Sequence, residues 1–132
     1  MVSYVINGSI LELRGEGEYG TGEITMVLIA AKNDPKRVVP SFLLIDIRES
    51  GSNPSIGDVS ARLAVLRHQL GGTMAPAVAF VVRGLARDRL AHIYQARAEE
   101  DHTRPIRVQV FTEPAAARVW LEAQGAVASD TR

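Results

Sequence analysis

Two nearly unbroken apolar runs of strand length, "SFLLIDIRES" at 41–50 and "APAVAFVVRG" at 75–84, constrain the fold of this chain more than any other feature. Such runs have no polar face to leave in water, so they belong in the middle of a sheet covered on both sides. Between them, "SIGDVSARLAVLRHQLGG" steps Ile56, Val59, Leu63, Leu66 and Leu70 by three and four along one face, which is the spacing of an amphipathic helix. Ser55 with Asp58 three residues later reads as a capping box, and Gly71 supplies the stop. A strand, a helix and a second buried strand in that order make a parallel crossover, which is almost always right-handed.

The flanks extend this unit. Asn7-Gly8 lies between the strand-like runs "VSYVI" and "SILELRGEG", and Asn-Gly in that setting predicts an antiparallel hairpin with both turn residues at positive φ. "TGEITMVLIAAKND" carries Ile24, Val27, Leu28 and Ala31 at helical spacing, and Asp34-Pro35 ends it. "LARDRLAHIYQARAEED" predicts a helix with Leu90, Ile93 and Tyr94 inward. "RPIRVQVFTE" alternates Ile106, Val108 and Val110 with Arg107 and Gln109, as expected of an edge strand or one with a wet face. "PAAARVWLEAQG" predicts a closing helix anchored by Val119, Trp120 and Leu121. The expected fold is α/β: one mixed sheet with an N-terminal hairpin, in the order β-β-α-β-α-β-α-β-α. It spans residues 1–124 and leaves a flexible tail at 125–132.

At 132 residues the chain fits one domain. Fifteen Lys plus Arg balance fifteen Asp plus Glu, so no basic excess favours nucleic acid or an anionic membrane, while a net charge near zero permits a homodimer. Cysteine is absent, which excludes disulfides, thiolate nucleophiles and Cys-ligated metal. The start has no basic stretch leading into an apolar core, and no run is long enough to span a membrane. A cytoplasmic protein is expected.

"GEGEYG" at 15–20 matches the Gly-x-Gly-x-x-Gly fingerprint of dinucleotide-binding folds, with Asp46 ending the next apolar run. A nucleotide-binding enzyme using Gly15, Gly17 and Gly20 is therefore an alternative. Three features oppose it. The preceding strand carries Glu12 and Arg14, whereas the first dinucleotide-fold strand is apolar on both faces; Asn7-Gly8 makes that strand a hairpin arm; and Glu16, Glu18 and Glu23 repel a pyrophosphate. The glycines are expected to supply a turn and a bulge.

In an open α/β sheet, ligands collect beyond the carboxyl ends of the parallel strands. Asp46, Arg48, Glu49, Arg83, Thr112 and Glu113 fall there, a set able to grip a small anion or a partner's charged loop, or simply to pair with one another. In "RESGSNPSIGD", Ser55 caps the following helix and is also placed for phosphorylation, since the added charge would face free amides. His68 and His92 fall off the apolar faces of their helices, and His102 closes the acidic "AEEDH" without metal-site spacing. No nucleophile elbow or phosphate loop occurs. Neither catalysis, a metal nor a cofactor is expected.

The hairpin, "FLLIDIRES" ending near Asp46, the serine-bearing loop before "SIGDVSARLAVL" and the closing "VQVFTEPAAARVWL" together resemble the STAS-like domains of sulfate transporters and anti-sigma factor antagonists, in their SpoIIAA-like branch. The resemblance covers roughly residues 2–124. It implies a non-catalytic regulatory or binding module. Its site would be Asp46, Arg48, Ser55 and Arg83, taking a protein partner or a small anionic or amphipathic ligand. By position Ser55 corresponds to the serine phosphorylated in antagonist members, although "NPSIGD" replaces their Asp-Ser-Ser/Thr-Gly signature. The architecture is also similar to lipid-carrier domains of the CRAL-TRIO type, which implies an apolar ligand under the first or third helix.

Overall fold

The computed structural model describes residues 1–51, 56–83, 89, 92–96 and 106–127. Its elements are β1 (Val2–Asn7), β2 (Ile10–Gly17), α1 (Thr21–Lys32), β3 (Ser41–Ser50), α2 (Ile56–Leu70) with a 3₁₀ turn at Gly71–Thr73, β4 (Met74–Val81), β5 (Arg107–Phe111) and a C-terminal helix, Pro114–Ala123. Residues 92–96, between β4 and β5, are helical. The five strands stand side by side in chain order, β1 antiparallel to β2 and the rest parallel. β3, the longest strand, is the middle one.

Crossovers of one hand that step along the sheet in one direction place their helices on one face. α1 and α2 pack on each other there. Leu28 of α1 and Leu66 and Leu70 of α2 meet Leu13, Leu43 and Phe80 of the sheet, and Tyr94 joins the same core. The C-terminal helix covers the other face, where Ala117 and Leu121 pack on Phe42, Leu44, Ala77 and Ala79. Alanines on β4 let that helix come close to the strand. After the helix, Ala126 is buried, and Val127 donates its N–H to Ser9 Oγ at 2.8 Å while its carbonyl accepts the Ser9 N–H at 2.8 Å.

Three local expectations are corrected. The hairpin turn is Gly8-Ser9, not Asn7-Gly8: Asn7 closes β1, and Gly8 alone is at positive φ, 61°. A two-residue turn with glycine first needs only that one left-handed residue. Val119 is 66% exposed, because three consecutive helical residues span about 200° and cannot all face inward. The inward stripe is Ala117 and Leu121, with Trp120 tilted against Phe111 at 5.9 Å between ring centroids. Ile93 is likewise 37% exposed, leaving Tyr94 as the buried anchor; Leu90 lies outside the described residues.

Candidate functional site: a cavity under the helices

The glycine-rich segment ends β2, and beside it the register with β3 shifts: Arg14 stands opposite Asp46 but Glu16 opposite Glu49, so the extra residue lies on β3 and the glycines do not supply the expected bulge. Gly17 sits at φ 62°, turning the chain towards α1. Gly15 has a different task. A Cβ there would lie 2.5 Å from the Tyr19 hydroxyl oxygen, so the glycine makes room for the Tyr19 ring to fold back over β2. Ser50, at the end of β3, fixes that ring by donating from Oγ to Tyr19 Oη at 2.8 Å. The space above Gly15 that a pyrophosphate would need is thus filled by a phenol.

Beneath Tyr19, between the sheet and the helix layer, lies a cavity of about 70 Å³. Leu13, Ile45, Val78, Phe80 and Val108 supply its sheet wall, and Ile24, Leu63 and Leu66 its helix wall. Its polar end is Arg62, in the second turn of α2 and only 8% exposed. The guanidinium lies 5.2 Å from the Tyr19 ring centroid and donates from Nη2 to the Tyr19 carbonyl at 3.2 Å. The Arg62 Nε is buried without a hydrogen-bond partner. Tyr94 lines the same cavity. Tyr94 stacks on Phe80 at 5.0 Å between centroids; burial pushes its pKa up, with Arg62 opposing.

Of the site residues expected from sequence, Asp46 and Arg48 come together: Arg48 donates to both Asp46 oxygens, Nε at 3.0 Å and Nη2 at 2.7 Å. Arg14 lies 3.9 Å from the same carboxylate. Burial would raise the Asp46 pKa, but the Arg48 hydrogen bonds and the two positive charges outweigh it and hold the carboxyl below its ordinary value. Arg83 pairs instead with Glu49 at 2.7 Å, both largely exposed. Ser55 lies outside the described residues, as does His102, while His68 and His92 are exposed. Among the described residues, no group of three or more His, Cys, Asp or Glu could hold a metal ion. No described helix is long and apolar enough to cross a membrane.

The sequence pattern does not single out Arg62 or Tyr19. The signal for Arg62 is its phase: it lies three residues after Val59 and four before Leu66, on the apolar stripe of α2. Tyr19 has no such periodic signal, because a loop ring is placed by a contact that only the folded chain makes.

A five-stranded mixed sheet with a leading hairpin, helices over one face and a closing helix over the other defines the class. Within it, this chain has a SpoIIAA-like fold. The crystal structure of an uncharacterized protein of the DUF3478 family from Shewanella loihica PV-4, described as having that fold, is similar over 92% of this chain and 92% of its own, with a TM-score of 0.57 and 19% sequence identity. No family model and no curated protein matches the chain.

Proposed function

We propose that this chain is a non-catalytic binding module of the STAS-like type that takes a small amphipathic ligand into the space between its sheet and its helix layer. The observation that carries the reading is the cavity, about 70 Å³ with apolar walls and a buried guanidinium at one end. Cores pack to crystal density, with few voids larger than a water molecule. At about 24 cal/mol per Å³, an empty space of 70 Å³ costs on the order of 2 kcal/mol, which a bound group would offset. Tyr19, which lines the cavity, follows the carboxyl end of β2, the end of the parallel strands at which open α/β sheets collect ligands.

Filling the space tests this. Val78→Ile with Val108→Ile extends two wall side chains into it. The urea midpoint should rise, and the chemical-shift changes that 1-butanol or butanoate produces at Phe80 and Tyr94 should disappear. Shifts that persist undiminished would place the ligand elsewhere.

A second reading is docking of a protein partner at the end of β3 and β4 through Asp46, Arg48, Ser55 and Arg83. It is favoured by the exposure of the Arg83–Glu49 pair, 64% and 57% for the two side chains. Arg83→Ala tests it, since an exposed pair contributes little to stability. A partner isolated with the wild-type chain should bind the variant more weakly at an unchanged melting temperature; equal binding would remove Arg83 from the contact.

A further inference from the structure

Resting on the cavity reading above, we infer that the ligand is a short-chain aliphatic monocarboxylate, its carboxylate docked on Arg62 beside the Tyr94 hydroxyl. The head group follows from Arg62. The residue is more than nine-tenths buried, it lines the cavity, and its Nε donor has no partner. Buried donors are nearly always satisfied, and a guanidinium offers Nε and Nη as a fork that matches the two oxygens of a carboxylate.

The tail follows from size and lining. A cavity of about 70 Å³ is roughly half the ~150 Å³ that admits benzene, which leaves room for a tail of about three or four carbons. Leu13, Ile45, Val78 and Val108 offer that tail no hydrogen bond, so a hydroxylated or amino tail would lose its water without replacement. A second negative charge on the tail would likewise be left in that apolar lining without a partner.

Titration of ¹⁵N-labelled wild-type protein with sodium butanoate, 1-butanol, succinate and decanoate tests this directly, read at the amides of Arg62, Phe80 and Tyr94. Butanoate should bind at least about tenfold more tightly than 1-butanol, as expected for a hydrogen bond between charged groups, and succinate and decanoate should bind more weakly than butanoate. Arg62→Met should lower butanoate affinity to that of 1-butanol without changing 1-butanol itself, and Arg62→Lys should restore part of the difference. If 1-butanol binds wild type as tightly as butanoate, or Arg62→Met leaves butanoate binding unchanged, the head-group assignment is wrong while the cavity reading stands. Tighter binding of decanoate overturns the short tail. Binding by none of the four removes the cavity reading together with this inference. Should Arg62→Met not fold, the four-ligand comparison on wild type and the Arg62→Lys variant still decide.

Discussion

At the scale of single residues, two positions separate what a side chain does from what its type advertises. Gly15 belongs to a motif that points to a phosphate, yet its missing Cβ accommodates Tyr19: the contact would be 2.5 Å to the hydroxyl and 2.6 Å to the ring carbon bearing it. Gly15→Ala must push that ring out, losing the Ser50 hydrogen bond and the stacking on Arg62. The expected loss is about 1–3 kcal/mol in urea unfolding, and Tyr19→Ala in the same background should make the alanine at 15 nearly neutral. If Gly15→Ala costs as much without Tyr19 as with it, the phenol is not the reason for the glycine. Arg48 is the second position. Asp46 keeps only 8% of its side chain exposed and Arg48 keeps 27%, so removing the arginine strands a buried carboxylate with only the more distant Arg14, at 3.9 Å, beside it. Arg48→Ala should therefore cost about 1–3 kcal/mol. Asp46→Asn with Arg48→Met should cost less than Arg48→Ala alone, because no unpaired charge remains. If the double variant is the less stable of the two, the stranded charge is not the cause.

At the scale of elements, periodicity carried most of the fold. The apolar runs at 41–50 and 75–84 became β3 and β4, the helical spacing from Ile24 to Ala31 became α1, and the alternation at 106–110 became the edge strand β5. What periodicity could not supply was rotation. On the closing helix, "RVWLEA" offers three adjacent apolar residues, and only the depth of the β4 alanines decides that Ala117 and Leu121 point inward while Val119 stays in water. The same limit hid the candidate site, since an arginine on the stripe of α2 looks like a break in the pattern until Tyr19 and Tyr94 are seen around it. This rotation has a measurable consequence. Leu121→Ala removes a fully buried side chain and should cost about 2–5 kcal/mol, whereas Val119→Ala should change stability by less than about 0.5 kcal/mol. Equal losses in chemical denaturation would mean the helix sits on the sheet by another face.

At the scale of the whole molecule, carboxylates add polar ties between elements that the hydrophobic clusters also join. Glu12 on β2 accepts from Arg118 of the C-terminal helix at 2.8 and 3.1 Å and from Asn7 of β1 at 3.2 Å. Asp46 holds Arg48 on β3. On the opposite face Asp34, just past α1, accepts from the Tyr4 hydroxyl of β1 at 2.7 Å. Burial works to raise the pKa of Glu12, but its hydrogen bonds from Arg118 and Asn7 and the charges of Arg118 and Arg14 outweigh it; Asp34 is lowered by the Lys36 amide and then by Tyr4. All three carboxyls, with Asp46, therefore hold pKa values below those of the unfolded chain. A depressed folded value means that the unfolded state takes up protons first. The stabilisation is complete above the ordinary carboxylate pKa of about 4 and is lost as pH falls through the depressed folded values. The Tyr4 pKa is raised, by its hydrogen bond to Asp34 first, so its contribution disappears instead as pH rises past about 10. Urea unfolding followed from pH 2 to pH 8 should show a plateau down to about pH 5 and a decline below it. Glu12→Gln should lower the plateau and make the acid limb shallower. Because the Arg14 charge acts on both Glu12 and Asp46, the combined Glu12→Gln and Asp46→Asn variant should not equal the sum of its parts. A decline beginning well above pH 5, or an acid limb that Glu12→Gln leaves untouched, would show that these pairs do not set the acid stability of the fold.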